Sequence, residues 1–233
     1  MTSFTQDPAT KLLGSPDAIK ELSEKDSANI LIISDSHGAA ANLRLAVMEN
    51  GRSCDALVFC GDGISDIAAL TEHALREPGL ASCVPPVTAF VQGNNDFDIY
   101  PFVNPLYGTD EGQDYYVNAR VPMEQSITVC GHRIYITHGH RYSLYGGTKH
   151  LESEAMKRGA QIALYGHTHI ARIVNQTGMY ILNPGSISRP RGGQPPSFAR
   201  LSLRKGDPNF SGIIYELKAG GSAPYVPKPD FYW

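Results

Sequence analysis

Ile30-Leu31-Ile32-Ile33-Ser34-Asp35-Ser36-His37-Gly38 is an unbroken apolar run that ends in a carboxylate and an imidazole two positions apart. Four branched aliphatic residues without polar alternation predict a strand buried on both faces. In sheets of that kind, ligands gather just beyond the carboxyl ends of the strands. On an extended backbone residues i and i+2 project to the same side, so Asp35 and His37 can reach one point, and Gly38 lets the chain turn beside it. A shared metal ion is the natural occupant of that point. A lone Asp-x-His pair recurs by chance, so its meaning rests on the rest of the chain.

Outward from this stretch the pattern repeats. Residues 39–48 are rich in helix formers, with Leu43, Ala46 and Val47 able to face a sheet. Ala56 to Cys60 is a second apolar strand ending in Gly61-Asp62-Gly63, followed by a helix from Asp66 to Leu75. Val87 to Val91 is a third, ending in Gly93-Asn94-Asn95-Asp96. From Asp98 to Tyr116 periodicity is lost, and prolines and glycines mix with Tyr100, Phe102, Tyr107, Tyr115 and Tyr116, which predicts a long loop. Residues 126–130 and 133–137 read as an antiparallel pair ending in His138-Gly139-His140. After a helix over 148–158, Gln161 to Tyr165 ends in Gly166-His167-Thr168-His169. The segments 171–175, 179–182, 198–203 and 213–217 read as antiparallel strands of a second sheet. The fold class expected is α/β, a two-sheet β-sandwich flanked by helices. Residues 1–27 read as an N-terminal extension with a short helix opened by Ser15 and Pro16, residues 28–217 as the main domain, and residues 218–233 as an irregular tail.

Composition narrows the function classes. With 233 residues, net charge -3, 42% hydrophobic and 18% charged residues, the chain has no general basic surface for nucleic acid. It shows neither a signal-peptide pattern at residues 1–25 nor the roughly 18 apolar residues of a membrane span, so a cytoplasmic protein is expected. Cys54, Cys60, Cys83 and Cys130 form no Cys-x-x-Cys pair and read as small buried hydrophobes.

Five donor clusters, each at a strand end, exceed chance. The ordered set Asp35-Ser36-His37, Gly61-Asp62, Gly93-Asn94, Thr137-His138-Gly139-His140 and Gly166-His167-Thr168-His169 resembles the calcineurin-like metallophosphoesterase superfamily. The short spacings and Asn183-Pro184-Gly185-Ser186 resemble its YfcE-type phosphodiesterase branch. That resemblance implies a phosphodiesterase with two divalent ions: Asp35, His37 and His169 at one, Asn94, His138 and His167 at the other, Asp62 bridging, and a bridging hydroxide as nucleophile. It also implies a small phosphodiester or nucleotide substrate. Carboxylate, amide and imidazole donors suit Mn²⁺, placed ahead of Fe²⁺, Ni²⁺ and Zn²⁺. Arg189 and Arg191 are expected to contact phosphate.

The chain departs from the family pattern at Asn95. Many relatives carry a histidine there that protonates the leaving group, which an amide cannot do. The catalytic set expected is therefore Asp62, Asn94 and Asn95, with His140 either the substitute acid or a group that orients a ligand. A second reading is a non-catalytic docking module similar to the retromer small subunit. The aromatic stretch Tyr100 to Tyr116 keeps it open, together with a possible homo-oligomer.

Overall fold

The structure, a computed structural model, describes residues 4–107, 113–176 and 178–227. Its first core strand is β1 (Ser27–Ile33), whose central side chains Ile30 to Ile33 are wholly buried. Alternation divides them. Ile30 and Ile32 face the core between two sheets, while Leu31 and Ile33 pack against helices outside. Each such side chain contributes roughly 1.5–3 kcal/mol on burial.

β1 pairs in parallel with β2 (Ala56–Phe59), which pairs in parallel with β3 (Val87–Phe90). The connections are α2 (Ala40–Asn50) and α3 (Ile64–Arg76), the latter followed by the single turn α4 (Pro78–Ala81). Leu43 and Val47 of α2 and Ile67 and Leu70 of α3 cover this sheet's outer face. The second sheet has the order β6 (Glu124–Val129), β7 (His132–Thr137), β8 (Ile162–Leu164), β10 (Met179–Asn183), β9 (Arg172–Gln176), with β7, β8 and β10 parallel. Leu151 and Ala155 of α5 (Lys149–Lys157) cover its outer face against Tyr135, Ala163 and Ile181. Between the sheets Ile30, Ile32, Val58 and Ala89 meet Ile134, Ile136, Ile162 and Leu164. The α/β two-sheet sandwich with flanking helices expected from the sequence is thus the observed architecture. Among the described residues no helix is long and apolar enough to cross a membrane.

Four expectations differ from the structure. The late strands do not form one sheet: β9 and β10 join the second, whereas β11 (Ser197–Arg204) and β12 (Ser211–Lys218) extend the first, β11 running antiparallel to β1. Alternation shows that a strand has one exposed face but not which neighbour it pairs with. The stretch 98–116 is not all loop. It contains a hairpin, β4 (Ile99–Val103) with β5 (Tyr116–Arg120), in which Phe102 and Ala119 are buried and the connecting residues 108–112 lie outside the described residues. Pro101 is compatible because this two-stranded ribbon has free edges.

The tail is not irregular throughout, since β13 (Gly221–Tyr225) pairs with β12. Gly220, at φ 87°, turns the chain, and Pro224 is tolerated on an edge strand. Residues 4–14, finally, are no appendage. Phe4, Leu12 and Leu13 are buried, and Leu13 exchanges two backbone hydrogen bonds with Thr88 at the outer edge of β3. On the same edge the Gln125 side chain accepts from Phe90 N and donates to Thr10 O. The expected short helix is α1 (Pro16–Glu24), with Ser15 Oγ accepting from Ala18 N at its start.

Candidate metal centre

The carboxyl ends of β1, β2, β3, β7 and β8 converge, and each delivers its donor through a tight turn. Asp35, His37, Asp62, His167 and His169 all have φ between 45° and 65°, a region that ordinary residues avoid at a cost of order 1–3 kcal/mol each. Local hydrogen bonds hold them there. Asp35 N donates to Gly61 O and His37 N to Asp62 O, each at 3.0 Å, and Asp35 O accepts from the Ser186 and Ser188 hydroxyls. Gly93 is obligatory at this crowding, because a Cβ there would lie 2.0 Å from Asp62 Oδ1.

The side chains meet closely. His169 Nε2 lies 3.2 Å from both Asp35 Oδ1 and His37 Nε2, and His37 Nε2 lies 3.7 Å from Asp62 Oδ2. On the other flank His138 Nε2 is 3.5 Å from Asp62 Oδ2 and 3.2 Å from Asn94 Oδ1, which His167 Nδ1 approaches to 3.0 Å. All seven residues expected as metal ligands are therefore together, with Asp62 Oδ2 between the two groups. Asp35 Oδ1 is also central, 4.0 Å from His138 Nε2.

Three observations show that this constellation fits cations. Asp35 Oδ1 is buried without a hydrogen-bond donor, although Asp35 Oδ2 accepts from Ser34 Oγ and His167 N. Asp35, His37 and His169, and likewise Asp35, Asp62 and His138, place ligand atoms within 4.8 Å of one another. His138 Nδ1 and His169 Nδ1 donate to the carbonyls of Cys60 and Arg189 at 2.7 and 2.6 Å, so each ring turns Nε2 toward the centre. Burial would lower the His138 pKa, but the hydrogen bond to Asp62 and the charges of Asp35 and Asp62 outweigh it and raise it.

The electrostatics agree. Burial depresses the imidazole pKa of His37 and of His167, with His169 and the Arg189 guanidinium adding to the effect at His37, which favours the neutral rings that a metal ion would need. Burial would raise the Asp62 carboxyl, but the nearby His138 ring and the two N–H groups of Asn95 outweigh it and hold Asp62 below the ordinary carboxylate range.

An open cleft of about 470 Å³ gives access, lined by His37, Asp62, Asn94, Asn95, His167 and His169 with Arg189, Pro190 and Arg191 on one side. Both arginines expected to contact phosphate are thus at its mouth. Asn95 is bound to Asp62, its backbone N 2.8 Å from Oδ1 and its Nδ2 2.6 Å from Oδ2. His140 is absent from the cleft lining. Its ring stands 5.5 Å from that of His138, and its Nδ1 is buried without a hydrogen-bond partner.

Sequence reasoning missed three supporting residues. Asp96 accepts four backbone N–H groups, from Asp62, Gly63, Ile64 and Gly93, tying the β2 turn to the β3 turn. Asp66 accepts from Ser36 Oγ and Gly38 N, and Asn183 Nδ2 donates to Gly166 O and Thr168 Oγ1. The signals were position and motif: Asp66 and Asp96 are acidic residues one turn after a strand-end glycine, where backbone donors lie close by, and Asn183 opens the Asn183-Pro184-Gly185-Ser186 stretch.

A double-layered sheet whose strand ends carry an Asp/His/Asn cluster, buried at Asp35, Asp62, His138 and His169 and open to the cleft at Asn94, defines a metallophosphoesterase type of protein. Residues 29–206 match the model of the calcineurin-like phosphoesterase superfamily domain, and the chain belongs to that superfamily. It is 30% identical over 175 residues to the probable metallophosphoesterase YsnB of Bacillus subtilis, covering 75% of this chain and 84% of that one. It is 32% identical to the phosphodiesterase YfcE of Escherichia coli K12 over 77 residues, 33% of this chain and 38% of that one. Among solved structures, Vacuolar Protein Sorting 29 from Cryptosporidium parvum shares the fold with TM-score 0.61 at 19% identity, over 88% of this chain and all of that one.

Proposed function

We propose that the chain is a metal-dependent phosphodiesterase acting on small diesters or nucleotides, with Mn²⁺ as the preferred metal. The observation that carries this reading is the orphaned, fully buried Asp35 Oδ1 facing the Nε2 atoms of His37, His138 and His169 at 3.2–4.0 Å. Asp35, His37 and His169 would hold one ion and Asn94, His138 and His167 the other, with Asp62 shared. Bound there, two divalent ions would supply Lewis acidity toward phosphoryl oxygens and would lower the pKa of an attacking water toward neutrality. Asn95 keeps both oxygens of Asp62 oriented, and Arg189 and Arg191 offer cationic contacts to the phosphate.

Among the described residues lining the cleft none is left to protonate a leaving group, since Asn95 is an amide, the histidines there are the proposed ligands and His140 does not line it. A general acid typically contributes about 10² to 10⁴-fold. Aryl diesters such as bis(p-nitrophenyl) phosphate are therefore expected to be cleaved readily, with rates falling steeply as leaving-group pKa rises and alkyl monoesters poor. The test measures rate against leaving-group pKa after metal analysis and reconstitution with Mn²⁺. Monoesters cleaved faster than diesters would sink this reading, and a flat dependence with chemistry rate-limiting would mean that another acid such as His140 already fills the role.

A docking role remains a second reading on one specific observation, the exposure of Phe97, Leu106, Tyr107 and Tyr116 in and around the β4–β5 hairpin.

A further inference from the structure

The cleft has an aromatic lip that the hydrolytic chemistry does not use. Tyr145, 66% exposed, stands on a single turn with its ring 6.2 Å from that of His167 and inclined to it by 62°. Tyr145 does not itself line the cleft, and its exposure alone would need no account; what singles it out is its link to Arg191, which does line it.

The ring is not loosely placed. Arg191, which lines the cleft, donates from Nη1 to Tyr145 Oη at 2.8 Å, and Arg191 N donates to His169 O at 3.0 Å. The turn is anchored beneath by Leu144, buried so tightly over Gly139 that a Cβ on Gly139 would lie 2.5 Å from Leu144 Cδ1. Arg191 grips the hydroxyl at the ring's edge, so the tyrosine is oriented while its face stays open. A rigid aromatic face and a guanidinium at the rim of a phosphate-type cleft match a ligand with a flat substituent one bond or two from its phosphate. Bases stack on such rings without regard to sequence.

We propose that Tyr145, oriented by Arg191, is a specificity determinant that stacks on a planar aromatic substituent of the diester, a nucleoside being the biological case. This rests on the phosphodiesterase reading and narrows its substrate class. A simple alkyl substituent would leave the ring unused.

The test compares three diesters with the same leaving group, the p-nitrophenyl esters of methyl, phenyl and thymidine 5′-phosphate, so that leaving-group chemistry is constant. The unaltered chain is expected to favour the phenyl and thymidine esters over the methyl ester by roughly tenfold in kcat/KM, within the range for stacking on one aromatic ring. Tyr145→Ala should remove that preference through KM, bringing the phenyl and thymidine esters down to the level of the methyl ester in the same variant, while Tyr145→Phe should keep most of it. Preference for thymidine alone assigns the lip to nucleosides, and equal preference assigns it to aryl groups generally. An unchanged preference in Tyr145→Ala, or an equal loss on all three esters, overturns the proposal. If no diester is cleaved, the phosphodiesterase reading fails by itself. Calorimetric binding of thymidine 5′-phosphate then decides: a roughly tenfold weakening in Tyr145→Ala upholds the lip, and equal binding rejects it.

Discussion

The strand-end cluster and the β4–β5 hairpin are both rich in residues that invite a functional reading, yet they are built in opposite ways. Around Asp35 and Asp62 every backbone turn is fixed by several hydrogen bonds, the conformations are ones the chain would not adopt unaided, and the donors converge within a few ångströms. In the hairpin the rings of Tyr107, Tyr115 and Tyr116 stack edge-on to one another, and most of their neighbourhood is exposed. A site that must hold charge is over-determined. A patch that offers only apolar area has no such need.

The sharpest way to break this contrast is Asp62→Ala. Asp62 Oδ2 lies between the two ligand groups, so its loss should leave fewer than two tightly held ions per chain. Several kcal/mol of lost transition-state stabilisation corresponds to at least about 10³-fold in kcat. Metal analysis checks it, and two ions retained in this variant would show that the residue does not link the groups.

A smaller effect is expected at Asp96, which touches no ligand-facing atom. Asp96→Asn preserves shape but turns one of two acceptor atoms into a donor, stranding two of the four N–H groups it serves. Removal of a partner that orients ligands typically costs about 10–100-fold in metal affinity or activity. Titration with Mn²⁺ should show the loss, and an affinity unchanged within twofold would make the clamp merely decorative.

The smallest change is expected in the hairpin. Phe97→Ser and Tyr116→Ser remove exposed rings, so stability should move by no more than about 0.5 kcal/mol and diester hydrolysis by less than twofold. Light scattering of the same variants separates the roles: a drop in mass at constant activity marks a subunit contact, and lost activity at constant mass marks a substrate cover.

The same contrast explains what could be read from the chain before it was folded. Ile30 to Ile33 announces a doubly buried strand because no polar residue interrupts it, and the donors after each strand are legible because strand ends put them side by side. The roles of Asp96 and Asn183 were silent, since Asp96 satisfies Asp62 N 34 residues away and Asn183 satisfies Gly166 O 17 residues away in sequence. Tyr145 was silent too, because its partner Arg191 comes from a separate loop. The hairpin and β13 escaped because proline and glycine mark breaks in most contexts and are tolerated at sheet edges for reasons only the pairing shows.

The strap at the outer edge of β3 bears on what that edge can offer to another strand. A bare edge strand is a template for growth by another chain. Here Leu13 occupies the donor and acceptor of Thr88, and the Gln125 amide occupies Phe90 N, while at the opposite end of the six-stranded sheet Pro224 interrupts the donor row of β13. Both rims of this sheet thus offer fewer groups to a templating strand, one because of a borrowed segment and the other because of a missing hydrogen. A chain begun at Ser15 would keep every metal-binding residue and expose Thr88 to any passing strand, so it should lose solubility before it loses chemistry.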